Sequence, residues 1–146
     1  MIEGGCLCGG VRYEYDGEID QVSLCHCSQC RKAQGSAFAA VCPVDATRFR
    51  LLRGAELLRE YCATPGKARV FCSRCGSPIY SARDDRPDVK RLRLGTVDTR
   101  FRCANVFHIH TGSKASWLDI TDGFPQHAAA RPATGVETTP MQEEKR

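Results

Sequence analysis

Seven cysteines fall into three short clusters, Cys6-Leu7-Cys8-Gly9-Gly10, Cys25-His26-Cys27-Ser28-Gln29-Cys30 and Cys72-Ser73-Arg74-Cys75-Gly76. Thiolates at such spacings bind metal. Zinc accepts sulfur at about 2.3 Å in tetrahedral geometry. A C-x-x-C turn lets two sulfurs converge on one ion, and Gly76 supplies the positive φ that a knuckle needs. A C-x-C pair on an extended strand presents both side chains on one face, because alternate residues point the same way.

Seven ligands divide as four and three. Cys6, Cys8, Cys72 and Cys75 make one closed set, and Cys25, Cys27 and Cys30 make a second set that keeps one position open. Closed shells are structural and open ones catalytic. The alternative joins Cys27 and Cys30 to Cys72 and Cys75 as a ribbon, which leaves Cys6, Cys8 and Cys25 without a role. Cys42, Cys62, Cys103, His26 and His108 are further candidates to close the second set. His26, placed between two ligands on an extended segment, is expected to turn away from the metal as a surface or core histidine. Cys42, Cys62 and Cys103 stand alone and read as small buried residues.

The elements that position these clusters are short. Val11–Tyr15 alternates apolar and polar residues and ends at the turn pair Asp16-Gly17. Segments 36–41, 49–52, 69–72, 92–97 and 106–109 read as strands, 57–61 as strand or helix, and Arg83–Pro87 as a charged surface loop. No long apolar helical stripe occurs. The expected fold is mainly β, small antiparallel sheets held by zinc–cysteine knuckles. Residues 1–125 form the zinc-binding domain. From Gln126 large apolar residues almost vanish, which predicts a disordered or loosely packed tail over 126–146.

Composition narrows the function. The chain has 146 residues, 42% of them hydrophobic, which suits one domain. No stretch approaches the roughly 20 apolar residues that span a bilayer. The opening MIEGGCLCGG has no long apolar run and does not read as a secretory signal, so a cytoplasmic location is expected. Ten cysteines make up about 7% of the chain, below the range of disulfide scaffolds. In a reducing compartment such clusters bind metal; iron suits thiolate-rich sites as zinc does. The net charge of +4 is too small and scattered to argue for nucleic acid. Part of it surrounds the cysteines, at Arg31, Lys32, Arg69 and Arg74.

The ordered set Gly5-Cys6-Leu7-Cys8-Gly9-Gly10-Val11, Cys25-His26-Cys27-Ser28-Gln29-Cys30-Arg31-Lys32, Phe71-Cys72-Ser73-Arg74-Cys75-Gly76-Ser77-Pro78-Ile79-Tyr80, Gly95-Thr96-Val97-Asp98, His108-Ile109, Lys114-Ala115-Ser116-Trp117 and Asp122-Gly123-Phe124-Pro125 resembles the glutathione-dependent formaldehyde-activating enzyme (GFA) family, which includes centromere protein V. The resemblance implies a β-tent fold with two zinc ions, one on Cys6, Cys8, Cys72 and Cys75 and one at an open site on Cys25, Cys27 and Cys30. It implies a carbon–sulfur lyase that condenses glutathione with formaldehyde to S-(hydroxymethyl)glutathione. At Cys62-Ala63-Thr64 the chain departs from the serine-rich stretch expected there.

On that reading Arg31, Lys32 and Arg74 balance the negative charge of three thiolates and receive the carboxylates of a glutathione-like thiol. His108 is a candidate proton shuttle or a hydrogen-bonded packing residue, and Trp117 is expected in the core. The competing functions are a non-catalytic zinc module that binds a protein, and a zinc or thiol sensor.

Overall fold

The computed structural model describes residues 1–132; most of the expected tail, 133–146, lies outside the described residues. In chain order the elements are β1 (Ile2–Gly5), β2 (Arg12–Tyr15), β3 (Val22–Cys25), α1 (Ser28–Gln34), β4 (Ala39–Asp45), β5 (Phe49–Arg53), β6 (Leu58–Thr64), β7 (Lys67–Cys72), β8 (Pro78–Arg83), β9 (Arg86–Arg93) and β10 (Val106–Ile109). The chain divides into two compact units. One comprises Met1–Asp20 with Val41–Cys103, the other Gln21–Ala40 with the chain from Ala104 onward.

The first unit is antiparallel throughout its ladders. β2 lies between β1 and β5, with Tyr13 opposite Gly4 and Tyr15 opposite Phe49. A second ladder runs β4–β9–β8–β7–β6. The alternation read from Val11–Tyr15 is the observed one, since Tyr13 and Tyr15 are buried. The Tyr13 and Phe49 rings stack at 5.1 Å, and Phe49 meets Tyr80 edge-on at 5.5 Å. Ile79, Leu92, Val44 and Val11 are almost wholly withdrawn from water. Each such side chain contributes about 1.5–3 kcal/mol by burial.

Two expectations change here and one open reading is resolved. The exposed loop expected over Arg83–Pro87 shrinks to a two-residue turn, Asp84 and Asp85, because β8 ends at Arg83 and β9 begins at Arg86, directly opposite it. Pro87 sits at the exposed end of β9, where a missing N–H is tolerated. The strand expected over 92–97 stops at Arg93, and Leu94–Thr96 form a 3-10 turn. There Thr96 Oγ1 donates to the Arg93 carbonyl at 2.8 Å, a local bond that competes with the ladder. The undecided segment at 57–61 enters strand β6.

The second unit holds a parallel pair, β3 with β10, in which Leu24 lies opposite His108 and Cys25 opposite Ile109. The sequence reading anticipated only antiparallel pairing. Residues 125–129 run along β10: the His108 N–H donates to Pro125 O at 2.8 Å, His127 N–H to His108 O at 2.9 Å, and His110 N–H to Ala129 O at 3.0 Å. The first residues of the segment expected to be a tail are thus hydrogen-bonded to a strand. Two residues, His26 and Cys27, separate helix α1 from β3, and the helix is capped at Gly35, whose φ of 62° is left-handed and whose N–H bonds Arg31 O. Trp117, expected in the core, is 71% exposed.

Candidate metal centre

Two groups of thiols converge, one in each unit. In the first, Cys6 and Cys8 follow β1, Cys72 ends β7 and Cys75 lies in the turn before β8. Their four sulfurs lie within 4.8 Å of one another, with Cys6 and Cys8 at 3.5 Å and Cys8 and Cys72 at 3.9 Å. Tetrahedral zinc–thiolate bonds imply sulfur separations of about 3.8 Å, so the spacing fits an ion. Both turns that present these sulfurs are closed by backbone bonds: Gly9 N–H to Cys6 O at 3.0 Å, and Gly76 N–H to Cys72 O at 2.7 Å. Gly76 has φ 79°, the knuckle conformation its sequence position predicted.

Ser77 supports this group and was not singled out in the sequence. Its Oγ accepts the Leu7 N–H at 2.9 Å and lies 3.2 Å from Cys75 Sγ. The Ser77 hydroxyl, against the opposing effect of burial, draws the Cys75 thiol down to about 5. The readable signal was a serine two residues after the second cysteine of the knuckle.

The second group comes from one short stretch. Cys25 ends β3, Cys27 is the N-cap of α1 and Cys30 is buried in its first turn. Cys27 Sγ accepts the Cys30 N–H at 3.3 Å, so the helix start itself holds two of the sulfurs together. The three sulfurs lie within 4.8 Å of one another. Among the described residues no fourth Cys, His, Asp or Glu atom joins them. The adjacent Cys30 sulfur, and then burial, push the Cys25 thiol up; a bound cation reverses that preference. The donor chemistry therefore fits a soft or borderline ion.

The geometry keeps the four-plus-three division and not the ribbon of Cys27, Cys30, Cys72 and Cys75. None of the ten cysteines, all within the described residues, forms a disulfide. Cys42 is fully buried, Cys62 exposed and Cys103 half-buried, so only the first matches the expected small core residue. Arg31 and Lys32 share α1 with Cys30; Arg31 is partly buried and Lys32 exposed. The Arg31 Nε and Gln34 Oε1 atoms are buried without a hydrogen-bond partner among the described residues. Arg74 is exposed in the turn between Cys72 and Cys75 and belongs to the four-cysteine knuckle.

His26 is buried, not at the surface, and pairs with His108: His26 Nε2 and His108 Nδ1 are 2.8 Å apart. Desolvation, reinforced by the neighbouring His108, lowers the His26 imidazole to about 4. His108 Nε2 is 2.9 Å from Asp122 Oδ2. Asp122 was part of a sequence motif but carried no role in the sequence reading.

A family model described as glutathione-dependent formaldehyde-activating enzyme matches residues 1–113, a stretch containing all seven clustered cysteines. A Halomonas elongata protein provisionally named as a glutathione-dependent formaldehyde-activating enzyme is 30% identical over 129 residues, covering 82% of this chain and 81% of that protein. An uncharacterised lyase of Schizosaccharomyces pombe is 31% identical over 80 residues, 55% of this chain and 56% of the lyase. A crystal structure of a Rhodobacter sphaeroides protein is similar at TM-score 0.57 and 25% identity, covering 68% of this chain and 90% of that one. With its family match, its relatives and its two groups of converging thiols, the chain belongs to the glutathione-dependent formaldehyde-activating enzyme family.

Proposed function

We propose that this protein is a zinc-dependent carbon–sulfur lyase acting on thiol–aldehyde adducts, with glutathione and formaldehyde as the substrate pair that the family suggests. The observation that carries this reading is the unequal thiol count, four donors in one group and three in the other. Four donors complete a tetrahedral shell and three leave room for a guest. In the synthetic direction a sulfur–carbon bond forms, the carbonyl π bond breaks, and the thiol proton ends on oxygen, giving R–S–CH2–OH. The lyase direction reverses each change.

Cys25, Cys27 and Cys30 would hold the zinc ion, whose positive charge would favour the thiolate of a guest thiol, where a free thiol near 8.5 is mostly protonated at neutral pH. The chain's own residues do the rest. Cys27, as both ligand and helix cap, fixes the donor set against α1. Arg31 and Lys32, in the last turn of that helix, offset the charge of three thiolates and are candidates for the carboxylates of a glutathione-like thiol. Arg74, named with them in the sequence, lies in the four-cysteine knuckle of the other unit and is not assigned to this site. A cytoplasmic site of action belongs to the same proposal; among the described residues no helix is long and apolar enough to cross a membrane.

A second reading is a zinc module that binds a protein, and the exposed Trp117, at 71%, is a large apolar candidate contact in the unit that holds the three thiols. Replacing one ligand separates the two. Cys27→Ser is expected to lose one of two bound metal equivalents and at least about 100-fold of thiol-dependent formaldehyde consumption, by analogy with the largest losses from disturbed metal sites. A variant that keeps two ions and full turnover contradicts the lyase proposal.

A further inference from the structure

The residue between Cys25 and Cys27 is held more firmly than either neighbour requires. The His26 N–H donates to Ile109 O at 3.0 Å, and its carbonyl accepts the Ser113 hydroxyl at 3.3 Å. Its ring packs against Phe38, with centroids 5.3 Å apart, and meets His108 Nδ1 at 2.8 Å. His108 in turn is anchored on Asp122, which also accepts the Phe124 N–H through Oδ1 at 3.0 Å.

The line runs from the buried His26 and His108 out to Asp122 at the surface, and with both imidazoles neutral proton counting along it gives one arrangement. A carboxylate has no proton to give, so His108 Nε2–H donates to Asp122. A neutral His108 then accepts at Nδ1, so His26 donates through Nε2–H. The His26 Nδ1 atom is left with a lone pair; it is buried and without a partner among the described residues. Asp122 thereby dictates the tautomer of a ring two hydrogen bonds away. That ring occupies the only residue between two metal-ligand candidates.

We propose that Asp122 and His108 are positioning residues for the three-cysteine site: by fixing the tautomer and orientation of the His26 ring, they lock the turn that carries Cys25 and Cys27 and so set that site's affinity for metal. The inference rests on the reading that Cys25, Cys27 and Cys30 hold an ion. Outer partners of this kind typically change metal affinity by about 10–100-fold when removed.

Asp122→Asn is the discriminating change because it keeps the shape. Its Oδ1 stays on the Phe124 N–H, so its amide N–H faces His108 Nε2. His108 Nε2 lies 2.9 Å from the Oδ2 that becomes this amide nitrogen and 3.2 Å from Oδ1. On the nearer contact both imidazoles are expected to invert, with His108 donating from Nδ1 and His26 carrying its proton on Nδ1; a variant that keeps the wild-type tautomers overturns the inference. Nitrogen-15 NMR of the full chain reads these tautomers, and chelator competition against cobalt(II)-loaded protein reads the affinities. The wild type is expected to show Nε2–H on both rings and to bind two cobalt ions. The variant is expected to show both tautomers inverted, one ion released at least about tenfold more readily, and the other unchanged. A wild-type His26 protonated on Nδ1 overturns the inference without any variant. So does a variant that inverts yet releases both ions as the wild type does. A wild type that binds only one ion overturns the three-cysteine reading and this inference with it.

Discussion

Cys75 and Cys27 are the same chemical group with different expected consequences, and the difference lies in what each holds. Cys75 belongs to a set drawn from residues up to 69 positions apart in sequence, Cys6 to Cys75, so an ion there ties distant parts of the first unit together. Metal binding to such a set is folding free energy. Cys75→Ser is therefore expected to lower the Tm by on the order of 10 °C, the equivalent of a few kcal/mol. Thermal melts followed by circular dichroism check this, and an unshifted melt contradicts a structural role. Cys27 lies within a six-residue stretch, so its loss is expected in bound metal and turnover more than in stability. The same contrast shows what was legible at this scale. The three-cysteine cluster was legible because its intervals are local, whereas the joining of Cys6 and Cys8 to Cys72 and Cys75 was preferred because it left no clustered cysteine without a role. Ser77 left only its place two residues after Cys75 as a signal, while its contact to Leu7 and that of Asp122 to His108 are not encoded by any interval.

At the level of elements the strands were readable where one face is buried and unreadable where tertiary pairing decides. Val11–Tyr15 declared itself by alternation, and Tyr13 and Tyr15 indeed face inward. β6 could not declare itself, because nearly all its side chains are exposed and its strand state comes from pairing with β7. The parallel partnership of β3 and β10 is also invisible locally, since the two are joined through residues about 80 positions apart. Tyr13 ties β2 to the 3-10 turn after β9, its hydroxyl 2.8 Å from Thr96 Oγ1. Burial, opposed in part by that hydrogen bond, raises its phenol to about 12, against about 10 in an unfolded chain. The folded state therefore keeps the Tyr13 proton after the unfolded state has lost it. Its contribution is whole below about pH 10 and is lost as pH rises to about 12. Tyr13→Phe is expected to be about 1 kcal/mol less stable than wild type near neutral pH, having lost the hydrogen bond. Above about pH 10 that gap should close or reverse. Urea denaturation at several alkaline pH values reads it, and a gap independent of pH contradicts the assignment.

For the molecule as a whole, each of the two units carries one cluster of converging thiols, and the proposed function gives the clusters unequal duties, one in the fold and the other toward a substrate sulfur. The mainly β class and the grouping of the seven thiols were legible in the knuckle spacing, and the family in the order of its motifs. The support behind the three-cysteine site was not, being assembled from β3, β10 and the chain beyond them. The unequal division of labour is tested most directly by titrating glutathione into protein loaded with two cobalt(II) ions and recording the thiolate–cobalt absorption. The account predicts a saturable spectral change amounting to one added sulfur per chain, present in the wild type and absent in Cys27→Ser. A spectrum that stays constant at saturating glutathione, with both cobalt ions still bound, would contradict it.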